Sequence, residues 1–438
     1  MATATLIIDP LSSSPPHTTF LTPVKTRQSL LLLLPLLPVL HLQPLPTELW
    51  ARIVTLAIRR DQHDMRSEED ERWRWSVVRV CKWWKRVALP ELYAYPYIPS
   101  ITTFDSLLSH LRLTDSLWSP LHRLPYSIPA SWIRTLDLSL LPPHLTNRQL
   151  LQLNNSLQSL WPMLPRLEEV ALKPEWMVCA GVAKGLGENC PGLRKVKGGT
   201  WREDRTGRGE DPVIALLKAC KLLEEVEIYG TGMPTLPLPI TGRYHGEPLR
   251  MDHLHTLSLI GLPYAPFIDI LLASPLPALR TLTVTPYTGE RGELITPFLA
   301  AHGPKLTSLS FARGPEWPSL PIAPPSNLLL LCPDLRDLTL LHPLPTALDP
   351  PLRGTLHPLE HISVPRPLVT QEYATFLRSG IPYGALQSLK LVKLLEFRWL
   401  KALGRAGDTG ARRGMIDTAV LLRKRGVRVV DERGVGAF

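Results

Sequence analysis

A short alternation of apolar and polar positions returns along most of the chain. Its form is apolar-x-x-apolar-x-apolar, as in "IRTLDL", "LEEVAL", "LEEVEI", "LHTLSL", "LRTLTV", "LTSLSF", "LRDLTL", "LEHISV" and "LQSLKL", with a weaker copy in "LRKVKG". The copies open at Ile133, Leu167, Leu193, Leu223, Leu254, Leu279, Leu306, Leu335, Leu359 and Leu386, at intervals of 24 to 34 residues. Two-residue alternation turns the fourth and sixth positions of each copy to one side of a strand. One such strand cannot bury its apolar side alone, so ten copies at near-constant spacing predict stacked units sharing a core. Between them, stretches such as "PFIDILLASPLPA" and "ELITPFLAAHGPK" hold a helix's worth of apolar residues ending at Gly or Pro. The expected unit is strand, turn, helix, turn. The C-terminal "MIDTAVLLRKRGVRVVDERG" fits it as a helix stopped at Gly426 and a last strand, "VRVV".

The first hundred residues follow a different rhythm. "LQPLPTELWARIVTLAI" predicts a helix, with Pro46 in the first turn and Leu49, Ile53 and Leu56 at i, i+4, i+7. The charged "RRDQHDMRSEEDER" that follows reads as a solvated loop or a helix extension. Beyond it, Val77, Val80, Cys81, Trp84, Val87 and Ala88 share one third of a helical wheel, while Arg79, Lys82, Lys85 and Arg86 gather opposite. That predicts an amphipathic helix from Val77, with Trp84 in its core and Trp83 at the boundary. A single-strand binder would align aromatics with basic residues; here they are segregated, which excludes a nucleic-acid platform. A module of two or three short helices has few apolar positions of its own and calls for a partner surface.

Composition adds limits. Apolar residues make up 44% and charged ones 20%, a folded globular balance, and 46 prolines imply frequent turns. The net charge of +10 is local: from Lys390 onward twelve basic side chains face five acidic ones, a net of +7. Such a tail reads as a solvated surface, and no nucleic-acid partner is expected. The five cysteines show no CxxC spacing. Cys190, Cys220 and Cys332 each stand three residues before a leucine that opens a copy, which predicts packed small apolar side chains without metal or redox roles. A reducing compartment, cytoplasmic or nuclear, follows as the expectation. The apolar run at 29–42 is too short to span a bilayer and is broken by Pro35 and Pro38, so no stable membrane insertion is expected. No GxSxG, HExxH or phosphate-loop motif occurs and the thirteen histidines are dispersed, so the reading carries no catalytic residues, no cofactor and no metal.

"LPTEL" opening a helix, followed after a charged gap by "VCKWWKRVA", resembles the F-box. Leu45, Pro46, Glu48, Leu49, Val80, Cys81, Lys82, Trp84, Lys85, Val87 and Ala88 match its pattern, over about fifty residues and with a longer gap than usual. The resemblance implies that Leu45, Pro46, Leu49, Ile53, Leu56, Val80, Cys81, Trp84 and Val87 dock the Skp-family adaptor of a cullin-based SCF ubiquitin ligase. The later copies resemble leucine-rich repeats, whose period they share. They depart from that family where an Asn or Cys ladder is usual, with Leu141, Glu175, Leu262 and Tyr287 at those places.

The expected fold is therefore an α/β solenoid, an irregular leucine-rich-repeat-like horseshoe preceded by a small all-α F-box-like module. Its parts are a leader at 1–44, the module at 45–97, a linker or capping segment at 98–132, the repeats at 133–430 and a tail at 431–438. The resemblance implies a non-catalytic substrate receptor that holds a protein target for ubiquitination. Positions three and five of each copy would face outward as a strip, giving Glu169, Lys195, Lys197, Glu225, Glu227, Ser258, Thr281 and Thr283 as target-binding candidates. Two other readings stay open: a leucine-rich scaffold outside any ubiquitin ligase, and an enzyme whose pocket is assembled from distant loops.

Overall fold

The computed structural model describes residues 46–58, 68–117, 129–201, 212–230, 248–262, 266–286, 288–289, 292–293, 295–313, 322–352, 355–365, 375–397 and 409–436. The apolar run at 29–42 and Leu45 lie outside them. The chain divides into two compact units, Met1–Tyr97 and Ile98–Phe438.

In the first unit three helices are described: α1 (Thr47–Ile58), α2 (Glu68–Val77) and α3 (Lys82–Ala94). Val54, Ile58, Val77, Ala88 and Leu92 form its small core, with Val78, Trp84 and Val87 packed against them. Trp84 stands 5.9 Å from Trp50, ring centre to ring centre. The helix expected from Val77 begins instead at Lys82. Cys81 takes an extended backbone, φ −161°, and its Sγ accepts the Trp84 N–H at 3.4 Å, capping the new helix. The wheel missed this because Val77 and Val80 satisfy its apolar face equally well as the end of α2 and a turn. α3 also runs through Pro90, whose missing N–H would ordinarily stop it. Burial of Leu92 and Ala94 beyond the proline holds the last turn in place.

The second unit is α/β and is built on a 13-stranded sheet that is not closed into a barrel. Its main path follows chain order: β1 (Thr135–Asp137), β2 (Glu169–Ala171), β4 (Lys195–Lys197), β6 (Glu225–Tyr229), β7 (Thr256–Ile260), β8 (Thr281–Val284), β11 (Ser308–Phe311), β12 (Asp337–Thr339), β13 (His361–Val364), β14 (Leu391–Leu394) and β15 (Arg428–Val430). Every neighbouring pair on this path is parallel. The short β3 (Met177–Val178) and β5 (Thr200–Trp201) pair beside it, and β9 (Thr288–Gly289) and β10 (Gly292–Glu293) form a separate antiparallel pair.

One register recurs along the path. Leu136, Val170, Val196, Val226, Leu257, Leu282, Leu309, Leu338, Ile362, Val392 and Val429 occupy the same row, all buried. The strand starts from β2 to β14 are tied in one way: the carbonyl of the second residue of a copy accepts two successive N–H groups of the next. Thus Arg194 C=O takes Glu224 and Glu225, Arg280 C=O takes Thr307 and Ser308, and Arg336 C=O takes Glu360 and His361. The turn before most of these strands closes in kind, as in Leu193 N–H to Cys190 C=O and Leu335 N–H to Cys332 C=O; before β13 the Leu359 N–H goes instead to His357 Nδ1.

That turn corrects the tenth copy. Leu389 N–H bonds to Leu386 C=O, and Leu391 pairs with His361, so the copy opens at Leu389 and not Leu386. "LQSLKLVKL" contains two overlapping versions of the motif, and pairing with β13 selects the second.

Helices α4 (Ile101–Leu117), α5 (Asn147–Leu160), α6 (Ala180–Asn189), α7 (Pro212–Ala219), α8 (Pro266–Ala273), α9 (Ile295–His302), α10 (Leu328–Leu331) and α11 (Thr409–Lys424) complete this unit. Their buried residues, among them Leu157, Leu186, Leu217, Leu271, Leu299, Leu329 and Leu422, join the inward strand positions in one continuous core. The segment expected as a linker or capping element contains α4, which buries Phe104, Leu108 and Leu111 in that core. Arg112 reaches Ser159 of α5 at 2.6 Å. Residues 431–436, in the segment expected as a tail, fold back on the last strand. Asp431 is buried, its Oδ1 accepts the N–H groups of Arg433 and Val435, and Val430 bridges antiparallel to Gly436.

Candidate functional site

Two surfaces gather the residues singled out in the sequence, one in each unit. In the first, α1 is apolar on two sides. Val54 and Ile58 enter the core, whereas Leu49, Ile53 and Leu56 are 49%, 45% and 62% exposed. At 100° per residue those three fall within an arc of about 60°, centred roughly 150° from the core face. A helix that needed only its own core would carry polar residues there. Val80, 48% exposed, sits in the turn before α3; Cys81, Trp84 and Val87 are half-buried, and Pro46 is exposed at the start of α1. Trp84 and Val87 therefore pack against the module's core, and of the expected docking residues Leu49, Ile53, Leu56 and Val80 are the apolar ones that solvent can reach.

The second surface is the outward side of the sheet. Glu169, Lys195, Glu225, Thr256, Thr281 and Ser308 lie in one row across successive strands, all half-buried. In the next row Ser258, Thr283 and Ser310 are aligned. The charged end is compensated from within: Glu225 Oε2 is 3.2 Å from both Lys195 Nζ and Lys197 Nζ, and Lys197 Nζ is 3.5 Å from Glu169. Burial lowers the Lys197 pKa, but Glu169 and Glu225 outweigh it and the ammonium sits above its ordinary value. Burial likewise pushes Glu225 up, and the two lysines overcome it and hold the carboxyl below its usual range. Glu227 accepts the Tyr229 hydroxyl at 2.6 Å. Four of the eight candidates thus form one neutralised cluster, a fifth is engaged by a tyrosine, and Ser258, Thr281 and Thr283 present hydroxyls on the smoother half.

A second charged row was not anticipated. The second residue of each copy, next to the strand start, gives Arg194 to Glu224 at 2.6 Å and Lys390 to Glu360 at 2.7 Å. The repeat register places these side chains together, although 30 residues separate each pair.

Among the described residues no group of three His, Cys, Asp or Glu could hold a metal, and no helix is long and apolar enough to cross a membrane. Cys190, Cys220 and Cys332 are buried at the turns before their strands, and burial pushes each thiol up to about 12. Buried protonated thiols act as small apolar side chains, not as nucleophiles. Comparison with protein-family models and with curated proteins found no match.

Proposed function

We infer that the first unit is an F-box-like adaptor-docking module and the second a leucine-rich-repeat-like solenoid that holds a protein target, together forming the substrate receptor of an SCF-type ubiquitin ligase. The observation that carries the reading is α1: its second apolar stripe lies beside the sequence that resembles an F-box and leaves Leu49, Ile53 and Leu56 without a covering group. Recurrent parallel pairing, one strand per copy, supports the repeat assignment. The protein's part in the reaction is proximity: target and adaptor held on one chain raise the effective concentration of target lysines near the conjugating enzyme.

The reading is tested with the full chain carrying Leu49→Asp and Ile53→Asp. Both side chains are half exposed, so the fold is retained, and capture of a Skp-type adaptor should fall at least tenfold because each carboxylate would be buried unpaired on docking. Wild-type capture by this variant would refute the module. Target capture should persist, and partners lost with the adaptor are then ligase subunits.

A further inference from the structure

A cleft of about 690 Å³ opens in the second unit between the segment 378–389 and the end of α11. Its floor is apolar, with Leu386, Leu389 and Val427 each at most 5% exposed. Its rim carries Arg378, Arg425 and Gln387, all exposed. Both guanidinium groups are oriented by neutral partners. Arg378 Nε donates to Thr418 Oγ1 at 3.3 Å, which leaves its two terminal nitrogens free to donate elsewhere. Arg425 lies over the Tyr383 ring, 4.7 Å from its centre, and that ring is fixed by its hydroxyl donating to Leu377 C=O at 2.5 Å. Burial pushes the Tyr383 hydroxyl up, so it stays protonated and neutral.

Among the described residues no carboxylate lines the cleft and neither arginine has an ion-pair partner. This sets them apart from Arg194, Lys195, Lys197 and Lys390, each of which meets a glutamate within 3.5 Å. The geometry points to a binding site for the dianionic phosphate of a small phosphate monoester, gripped by Arg378 and Arg425 with its organic part on the apolar floor. Planar guanidinium forks match phosphate oxygens two at a time. A phosphate monoester carries roughly −1.5 to −2 at neutral pH and balances two cations, whereas a carboxylate leaves one uncompensated. The volume falls within the range of about 300–1,000 Å³ common for small-molecule sites. The site is independent of the adaptor-docking reading.

Calorimetric titration of the full chain decides it, with phenyl phosphate, benzoate and inorganic phosphate as probes. Phenyl phosphate should bind one per chain, and benzoate, with the same ring and a single charge, at least about tenfold more weakly. Arg378→Gln and Arg425→Gln should each weaken phenyl phosphate about tenfold or more, and Arg423→Gln, outside the cleft, should leave it unchanged. All three side chains are exposed, so an unaltered thermal midpoint confirms that the variants fold. Binding should also weaken as pH falls through about 6, where the dianion takes up a proton. Inorganic phosphate binding as tightly as the ester would support the two-arginine grip and assign free phosphate as its source. Absence of phenyl phosphate binding at millimolar concentration, or undiminished binding by the double variant, would overturn the proposal.

Discussion

His302 and His357 are 3% and 2% exposed, and each uses Nε2 against a carbonyl: Leu271 at 3.1 Å and Cys332 at 2.9 Å. At His357 the Leu359 N–H points at Nδ1, so that nitrogen accepts, Nε2 carries the proton, and the ring is neutral. Burial lowers both pKa values below 6.5, offset only partly by the carbonyl contacts. The unfolded chain therefore binds more protons between the folded-state pKa and 6.5, and stability rises with pH across that window. The two side chains give their full contribution above about pH 6.5 and lose it as pH falls toward the folded-state values. Urea midpoints measured from pH 7.5 down to pH 5 should fall, and His302→Gln with His357→Gln should flatten the slope. These roles were hidden in the sequence because the chain has thirteen histidines and only the fold selects which turn encloses one. The three strand-opening cysteines were legible, since their place in the repeat was itself the signal.

At the level of elements, α1 supplies an internal control. Val54→Asp, one residue from Ile53, puts a carboxylate into a core of five fully buried residues and should unfold the first unit, an effect of several kcal/mol. Circular dichroism and limited proteolysis should report that loss for Val54→Asp and its absence for Leu49→Asp with Ile53→Asp. Identical behaviour of the two variants would remove the distinction between the core face and the exposed face. The i, i+4, i+7 spacing announced the exposed stripe but not its exposure, because a helix with two apolar sides leaves the choice to packing. The same spacing in Phe104, Leu108 and Leu111 marks α4, inside what reads as a linker or capping segment. The start of α3 and the tenth strand were ambiguous for a shared reason: two alternatives satisfied one apolar pattern, and hydrogen bonds made at Cys81 and Leu389 decided between them.

Across the whole molecule, the second unit keeps its apolar residues in one core that every strand on the main path shares. Leu340, fully buried after β12, donates its N–H to Ser363 of β13 at 2.8 Å. Leu340→Asp should therefore raise amide exchange in β11 and β13 as well as β12, because stacked units are stabilised by their neighbours. Exchange confined to β12 would mean that the units are independent. Strand order was readable from the periodicity, whereas the pairing of Lys195 and Lys197 with Glu225 was not. Those residues are about thirty positions apart and meet only through register.

The turn at 431–436 bears on what the protein does at high concentration. A parallel sheet in chain order has two terminal strands, and a bare one offers an unpaired row of N–H and C=O groups to another chain. Asp431 draws the backbone back across β15, and the Val430–Gly436 bridge occupies part of that row. A chain ending at Val430 would expose that part of the row and remove Asp431, which should let two copies associate through β15. Light scattering as a function of concentration would show larger particles for the chain cut at Val430 than for the uncut one; the turn at 431–436 then works as a guard against edge-to-edge association.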